Sequence, residues 1–216
     1  MIDNNDQPLV LIVDDDEAMR RSMAFLFSSI GLEAQIFASA AELLEALPAE
    51  EALRPGALVL DVRMPGMSGL ELQRHLTDRG FLLPILIVTG HGDVPMAVEA
   101  LKAGAFDFIE KPFKEQLLLD AVAAAIRFSR ENLTRGARRR SIKGRLARLG
   151  RREWEVMERV LAGKPNKVIA YELDLSIKTI EVYRASVMTK MEARSLAELA
   201  LMVSSVAGGW TEPGAC

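Results

Sequence analysis

Residues 9–17 read Leu9-Val10-Leu11-Ile12-Val13-Asp14-Asp15-Asp16-Glu17, an apolar run that stops abruptly at four acids. A short apolar run closed by a polar cluster is the pattern of a buried strand that delivers charged groups to one end of a sheet. The pattern recurs downstream. Glu33–Phe37, Ala57–Leu60, Ile85–Val88 and Phe106–Ile109 also read as strands, and segments near Glu17–Ser29, Ala40–Leu47, Ser68–Asp78, Val94–Ala103 and Lys114–Arg127 read as helices. Alternating strand and helix with short connections implies a parallel sheet covered on both faces, because parallel strands need crossovers and these pack right-handedly.

The strand ends carry the chemistry. Asp14 and Asp15 close the first strand, Asp61 the third and Thr89 the fourth, while Lys111 and Pro112 lie just past the fifth. In an open parallel sheet the ligand crevice forms outside the carboxyl ends, so residues distant in sequence converge there. Carboxylates on adjacent strands, Asp15 and Asp61, either bind a hard cation or drive one pKa upward. Mg²⁺ suits such a site, since it takes oxygen ligands and works beside phosphate with one or two carboxylates. Lys111 adds a point charge and Thr89 a hydroxyl donor for phosphoryl oxygens. Asp16 and Glu17 more simply begin the first helix, where acids complement the dipole.

These residues resemble the receiver domain of two-component response regulators, through Val13-Asp14-Asp15, Asp61 with Met64-Pro65-Gly66, Thr89-Gly90 and Lys111-Pro112-Phe113, over about residues 8–126. The resemblance implies an α/β flavodoxin-like fold, a five-stranded parallel sheet of order 2-1-3-4-5. It implies that Asp61 accepts a phosphoryl group from a phosphohistidine on a sensor histidine kinase. Mg²⁺ would be held by Asp15, Asp61 and the Arg63 backbone carbonyl, with Asp14 nearby through water. Lys111 would pair with the carboxylate and then the phosphate, and Thr89 and Phe108 would act as switch residues. Arg63 and His91 would tune dephosphorylation, and the Lys111-Pro112 bond would be cis. Taken singly, Phe108 is a core aromatic and His91 an ordinary loop histidine. Aspartate-nucleophile phosphohydrolases combine the same residue types, but they place the nucleophile after the first strand with a second acid two residues on; Asp61 after the third strand fits a receiver. No enzyme activity is therefore expected beyond self-phosphorylation and slow self-dephosphorylation at Asp61.

Charge divides the chain. Residues 1–125 hold 9 Lys/Arg against 20 Asp/Glu, and residues 126–216 hold 18 against 10. A basic half points to a polyanion. From Arg127 to Arg152 there are eleven Lys/Arg and one acid, Glu131. This stretch reads as a basic linker, partly helical, in which like-charge repulsion opposes compact packing. The expected domains are a receiver over 1–126, the linker over 127–148 and a DNA-binding domain over 149–216.

Four helical patterns follow from Arg151 to about Ala207. Ser176 is a good N-cap for the third, and Leu175 with Ile180 has the spacing of a hydrophobic staple. Leu149–Met202 resembles the LuxR-type helix-turn-helix of the NarL/FixJ regulators, in the FixJ branch. The resemblance rests on Arg152-Glu153, Val160-Leu161-Ala162-Gly163, Pro165-Asn166-Lys167, Ile169-Ala170, Leu173, Ser176, Lys178-Thr179, Val182 and Lys190-Met191. It departs from the family at Gly150, where threonine is common, and at Tyr183, where histidine is. At about 100° per residue, Ile177, Ile180, Arg184, Val187 and Met191 share the core face of the third helix, and Lys178, Glu181, Val182, Ala185, Ser186 and Thr189 the opposite one. Val182 can pack on a thymine methyl and Glu181 accept from cytosine N4. Lys167, Lys178 and Lys190 are the expected phosphate contacts, with Thr179 beside them. Arg184 is expected to pair with an acid such as Glu153 or to meet a phosphate.

The two resemblances imply as partners a sensor kinase, duplex DNA and RNA polymerase, and resemblance to FixJ-like receivers implies a second copy through the face 94–108. An RNA-binding output is disfavoured by the helix-turn-helix. The apolar runs are too short to cross a bilayer, and Met1–Asp6 carries acids where a secretory signal needs bases, so a cytoplasmic protein without membrane contact is expected. The single cysteine, Cys216, excludes an intrachain disulfide.

Overall fold

In a computed structural model, which describes residues 7–47, 54–90 and 94–206, β1 (Leu9–Val13) lies between β2 (Glu33–Phe37) and β3 (Gly56–Leu60). β4 (Ile85–Thr89) and β5 (Asp107–Glu110) extend the sheet beyond β3. All pairs are parallel and the order is β2-β1-β3-β4-β5, as expected. Alternation along β1 sorts its side chains to two faces. Val10 and Ile12 join an apolar cluster with Met23 and Phe27 of α1 (Glu17–Ser29) and with Leu118 and Val122 of α5 (Glu115–Leu146). Leu11 and Val13 join the opposite cluster. It contains Leu43 of α2 (Ala40–Ala46), Leu72 and Leu76 of α3 (Gly69–Asp78) and Ala100 of α4 (Val94–Lys102). The fully buried leucines and isoleucines of the central strands each contribute roughly 1.5–3 kcal/mol, so the strand ends rest on a firm platform.

The helix starts explain themselves locally. Asp16 caps α1 by accepting from Ala18 N and Met19 N, and Ser68 with Glu71 forms a reciprocal capping box at α3.

The chain divides into two compact units, Met1–Thr134 and Arg135–Cys216. The segment read as a partly helical linker is helical to Leu146, and its packing is what departs from expectation. α5 is a single helix of 32 residues, running on past Arg127 through the basic run. Ile142 and Leu146, with Leu149 just beyond, are buried in the core of the second unit. Apolar residues at i, i+4 and i+7 give one side of a basic helix something to bury, while Arg138, Arg139, Arg140, Lys143 and Arg148 stay exposed. Repulsion therefore does not prevent packing.

In the second unit, α6 (Arg151–Leu161), α7 (Asn166–Leu173), α8 (Ile177–Met191) and α9 (Leu196–Val206) enclose two apolar clusters. α7 ends at Asp174 in the left-handed region with φ 53°, and Ser176 then caps α8 by accepting from Thr179 N. Leu175 packs against the cluster that contains Ile180, completing the staple.

Candidate functional site

The strand-end residues meet as the topology requires. Lys111 Nζ donates to Asp61 Oδ1 at 2.8 Å and to Asp14 Oδ2 at 2.6 Å. The second oxygen of Asp61 accepts from Arg63 N at 2.6 Å. Asp14 is buried, and it also accepts from Asp16 N, while Arg20 donates to its backbone carbonyl. Asp15 is exposed at the rim. Thr89 is buried at the end of β4, where its carbonyl accepts from Lys111 N at 2.8 Å, and the Lys111-Pro112 bond is cis. Phe108 is half-buried against the α2–α3–α4 face of the sheet. His91 lies outside the described residues.

Burial pushes the Asp61 carboxyl above its ordinary value; the Lys111 hydrogen bond and charge pull it back only in part, and Asp14 raises it further. Burial alone would lower Lys111, but bonds to two carboxylates hold it above the ordinary lysine value. The site thus holds a firmly charged ammonium and a carboxylate whose charge is poorly compensated.

The second group of residues lies on α8. Lys178, Glu181, Val182, Ala185 and Thr189 are exposed, Val182 at 62 %, so an outward face exists as expected. Thr179 is half-buried beside the Ser176 cap, and Lys167 is exposed on α7. Ser186 and Lys190 behave otherwise. Ser186 Oγ donates to Glu153 Oε1 at 2.6 Å, and Lys190 Nζ to Glu153 Oε2 at 2.6 Å and to the Arg148 carbonyl at 3.2 Å. One helical turn apart, the two residues share a flank between core and outward face, and α6 presents Glu153 to that flank. Ser186 and Lys190, expected among the DNA contacts, thus also fasten α8 to α6. Arg184 donates to Asn166 Oδ1 at 2.5 Å, and Glu153 is engaged by Ser186 and Lys190 instead. Ile177, the first residue of α8, is 47 % exposed and belongs to neither apolar cluster, because a core-side angle does not bury a residue at a helix end.

Comparison with known proteins matches both groups. A family model described as the response regulator receiver domain covers residues 10–123, and one described as bacterial regulatory proteins of the luxR family covers residues 147–203. The transcriptional regulatory protein FixJ of Bradyrhizobium diazoefficiens is 49 % identical over 190 residues, 88 % of this chain and 91 % of that one. The chain belongs to the NarL/FixJ family of response regulators. FixJ of Rhizobium meliloti is 46 % identical over 93 % of this regulator and 96 % of its own length. Among solved structures, the response regulator StyR aligns with TM-score 0.82 at 40 % identity, over 92 % of this chain and 98 % of that one. Full-length FixJ from B. japonicum aligns with TM-score 0.57 at 46 % identity, over 94 % and 98 %. The regulator is thus a transcription factor with a receiver and a LuxR-type DNA-binding domain, which imply a kinase partner and DNA binding.

Two contributions to the regulator's sites escape sequence reasoning. A Cβ on Gly69 would lie 2.1 Å from the Asp61 carbonyl oxygen, so α3 can start against the Asp61 strand end only with glycine there. The Ser68-Gly69 pair was a visible cap signal, but the close approach was not. Glu153, read as a family motif residue, is the acceptor that ties α6 to α8.

Proposed function

We propose that Asp61 is the phosphoacceptor and that its phosphorylation by a sensor histidine kinase promotes dimerisation and sequence-specific duplex binding. The observation that carries this reading is the buried Asp61 carboxylate, raised in pKa and held between Lys111 Nζ and Arg63 N. One Asp61 oxygen attacks the phosphorus of the phosphohistidine as the P–N bond breaks; the imidazole nitrogen leaves with the electron pair and an acyl phosphate remains. Lys111 then follows the charge onto the phosphoryl oxygens, and Thr89 donates its hydroxyl to one of them. Phe108 follows Thr89 inward, and Arg63 and His91 govern how water reaches the phosphoryl group.

The donor set fits Mg²⁺. Asp14 and Asp61 are two carboxylates sharing one ammonium, and among the described residues no hydrogen bond or ion pair engages the exposed Asp15 side chain. Asp15, Asp61 and the Arg63 carbonyl would hold the ion, with Asp14 behind. When bound, it supplies positive charge against the phosphoryl oxygens.

The 94–108 face carries exposed Val94, Val98 and Leu101, which supports its use as the dimer surface. On DNA, Glu181 and Val182 read base edges, with Lys178 reaching a base or phosphate, Thr189 and Thr179 beside them, and Lys167 on the backbone. No described helix is long and apolar enough to cross a membrane; a cytoplasmic site of action is part of the same proposal.

The test is incubation with a small acyl phosphate and Mg²⁺, read by mass spectrometry. At most one phosphoryl group per chain is expected, and none on Asp61→Asn; equal labelling of that variant, or sustained turnover of a phosphomonoester, overturns the assignment. Selection from random duplexes with and without the donor tests the coupling to DNA.

A further inference from the structure

The positive charge of the second unit is unevenly committed. Arg145, Arg151, Arg152, Arg159, Lys164 and Lys190 each pair with a carboxylate. Arg138, Arg139, Arg140, Lys143 and Arg148 are all exposed, and no described acid pairs with any of them. Five uncompensated cations within eleven residues, some at the i, i+4 spacing where like charges oppose helix formation, is an arrangement that a polyanion would relieve.

The position of this segment in the fold is defined. Ile142 and Leu146 bury one side of it in the core of the second unit. Arg145 donates to the Met191 carbonyl and pairs with Glu192 at the C-terminal end of α8, and Lys190 of α8 donates to the Arg148 carbonyl. The basic end of α5 is therefore docked beside the recognition helix itself. Taking Ile142 as the inward direction, Arg139, Lys143 and Arg140 follow one another along one side of the helix at about 60°, 100° and 160°.

We propose that the segment 138–148 is a second DNA contact, a basic arm that binds duplex phosphates flanking the operator without reading sequence. The inference rests on the proposed duplex binding by α8 and extends its footprint. A backbone-only contact adds affinity and salt dependence without changing base preference.

The test uses the full chain and a duplex recovered by selection with it, trimmed to the selected core and then extended by ten base pairs of scrambled sequence on each side. The unaltered chain is expected to bind the extended duplex more tightly than the core, whatever the flanking sequence. Replacing Arg138, Arg139, Arg140 and Lys143 by Gln should remove that gain and weaken binding roughly 10- to 100-fold at about 0.1 M salt. The slope of log K against log salt should become shallower by about two to four, with base preference unchanged and with thermal unfolding as in the parent chain. An unchanged slope and an unchanged flank effect in a folded variant overturn the arm while leaving α8 recognition standing. Loss confined to single-stranded RNA or anionic vesicles also overturns it. Failure of the unaltered chain to prefer any duplex overturns both readings.

Discussion

Among the described residues three buried carboxylates are held by lysine, and two of them, Asp61 and Glu153, are opposites. At the strand ends Asp61 shares Lys111 with Asp14, and burial leaves its carboxyl raised. In the helical unit burial also pushes Glu153 up, but Lys190, Ser186 and the Gly150 N–H outweigh it and hold the carboxyl below its ordinary value. Both pairs are short and poorly solvated. What separates them is satisfaction: Glu153 has a cation of its own and two further donors, whereas Asp61 has half a cation and a neighbouring like charge. A fully satisfied buried carboxylate holds structure in place, and an under-satisfied one is ready to react or to take up a cation.

Removing the cation from each pair should break the symmetry most visibly. Lys111→Met is expected to slow phosphorylation from a small acyl phosphate roughly 100-fold or more, as loss of a preorganised charge-stabilising donor does, with duplex binding by the unphosphorylated chain retained; rapid labelling would deny Lys111 its role. Glu153→Ala leaves Lys190 without its carboxylate, and about 2–3 kcal/mol of stability should go from the helical unit. Urea unfolding followed by tryptophan fluorescence measures it, and the phosphorylation rate should not move. Gly69→Ala drives a methyl into the Asp61 carbonyl and should cost about 1–3 kcal/mol in the receiver while slowing phosphorylation.

The pH dependence sharpens the contrast further. The folded pKa of Glu153 is depressed, so its contribution is present above the unfolded value near 4.5 and is lost as pH falls through the folded value. The folded pKa of Asp61 is raised, so without divalent cation the receiver gains stability as pH falls through that value, because the native state takes up the proton first. Glu153→Gln should flatten the acid limb of one unit and Asp61→Asn the slope of the other; parallel changes in both would erase the distinction. The smallest effect is expected from Val182→Ala, within about 0.5 kcal/mol of parent stability but relaxing preference at one base position by about 1 kcal/mol. Competition binding against a single-position duplex library reads it.

The receiver was legible because its rules are periodic. Apolar runs of strand length, acids at their carboxyl ends and the crossover rule lead from Leu9–Glu17 to the observed sheet with strand boundaries within one residue. The convergence of Asp14, Asp61, Thr89 and Lys111 followed from topology. Contacts that depend on a flank rather than a face were not legible. A helical wheel separates inward from outward but leaves Ser186 and Lys190 near the boundary, and only the position of α6 decides that they face Glu153. The basic run misled for a similar reason: three apolar residues among many arginines look like noise until a core exists to receive Ile142, Leu146 and Leu149. Gly69 illustrates a third kind of silence, since a close backbone approach leaves no mark on sequence periodicity.

The residues that hold α8 and the residues it offers to solvent form separate sets. Ile180, Val187 and Met191 bury it, and Ser186 and Lys190 fasten it to Glu153. Lys178, Glu181, Val182, Ala185 and Thr189 carry none of that duty, and exposed positions of this kind tolerate exchange at within about 0.5 kcal/mol. If operator preference is written on those five positions, as proposed, it can drift between lineages, or be rewritten deliberately, while the fastening stays untouched. One scaffold can be re-addressed to new promoters by a handful of surface substitutions, with no refolding problem to solve each time.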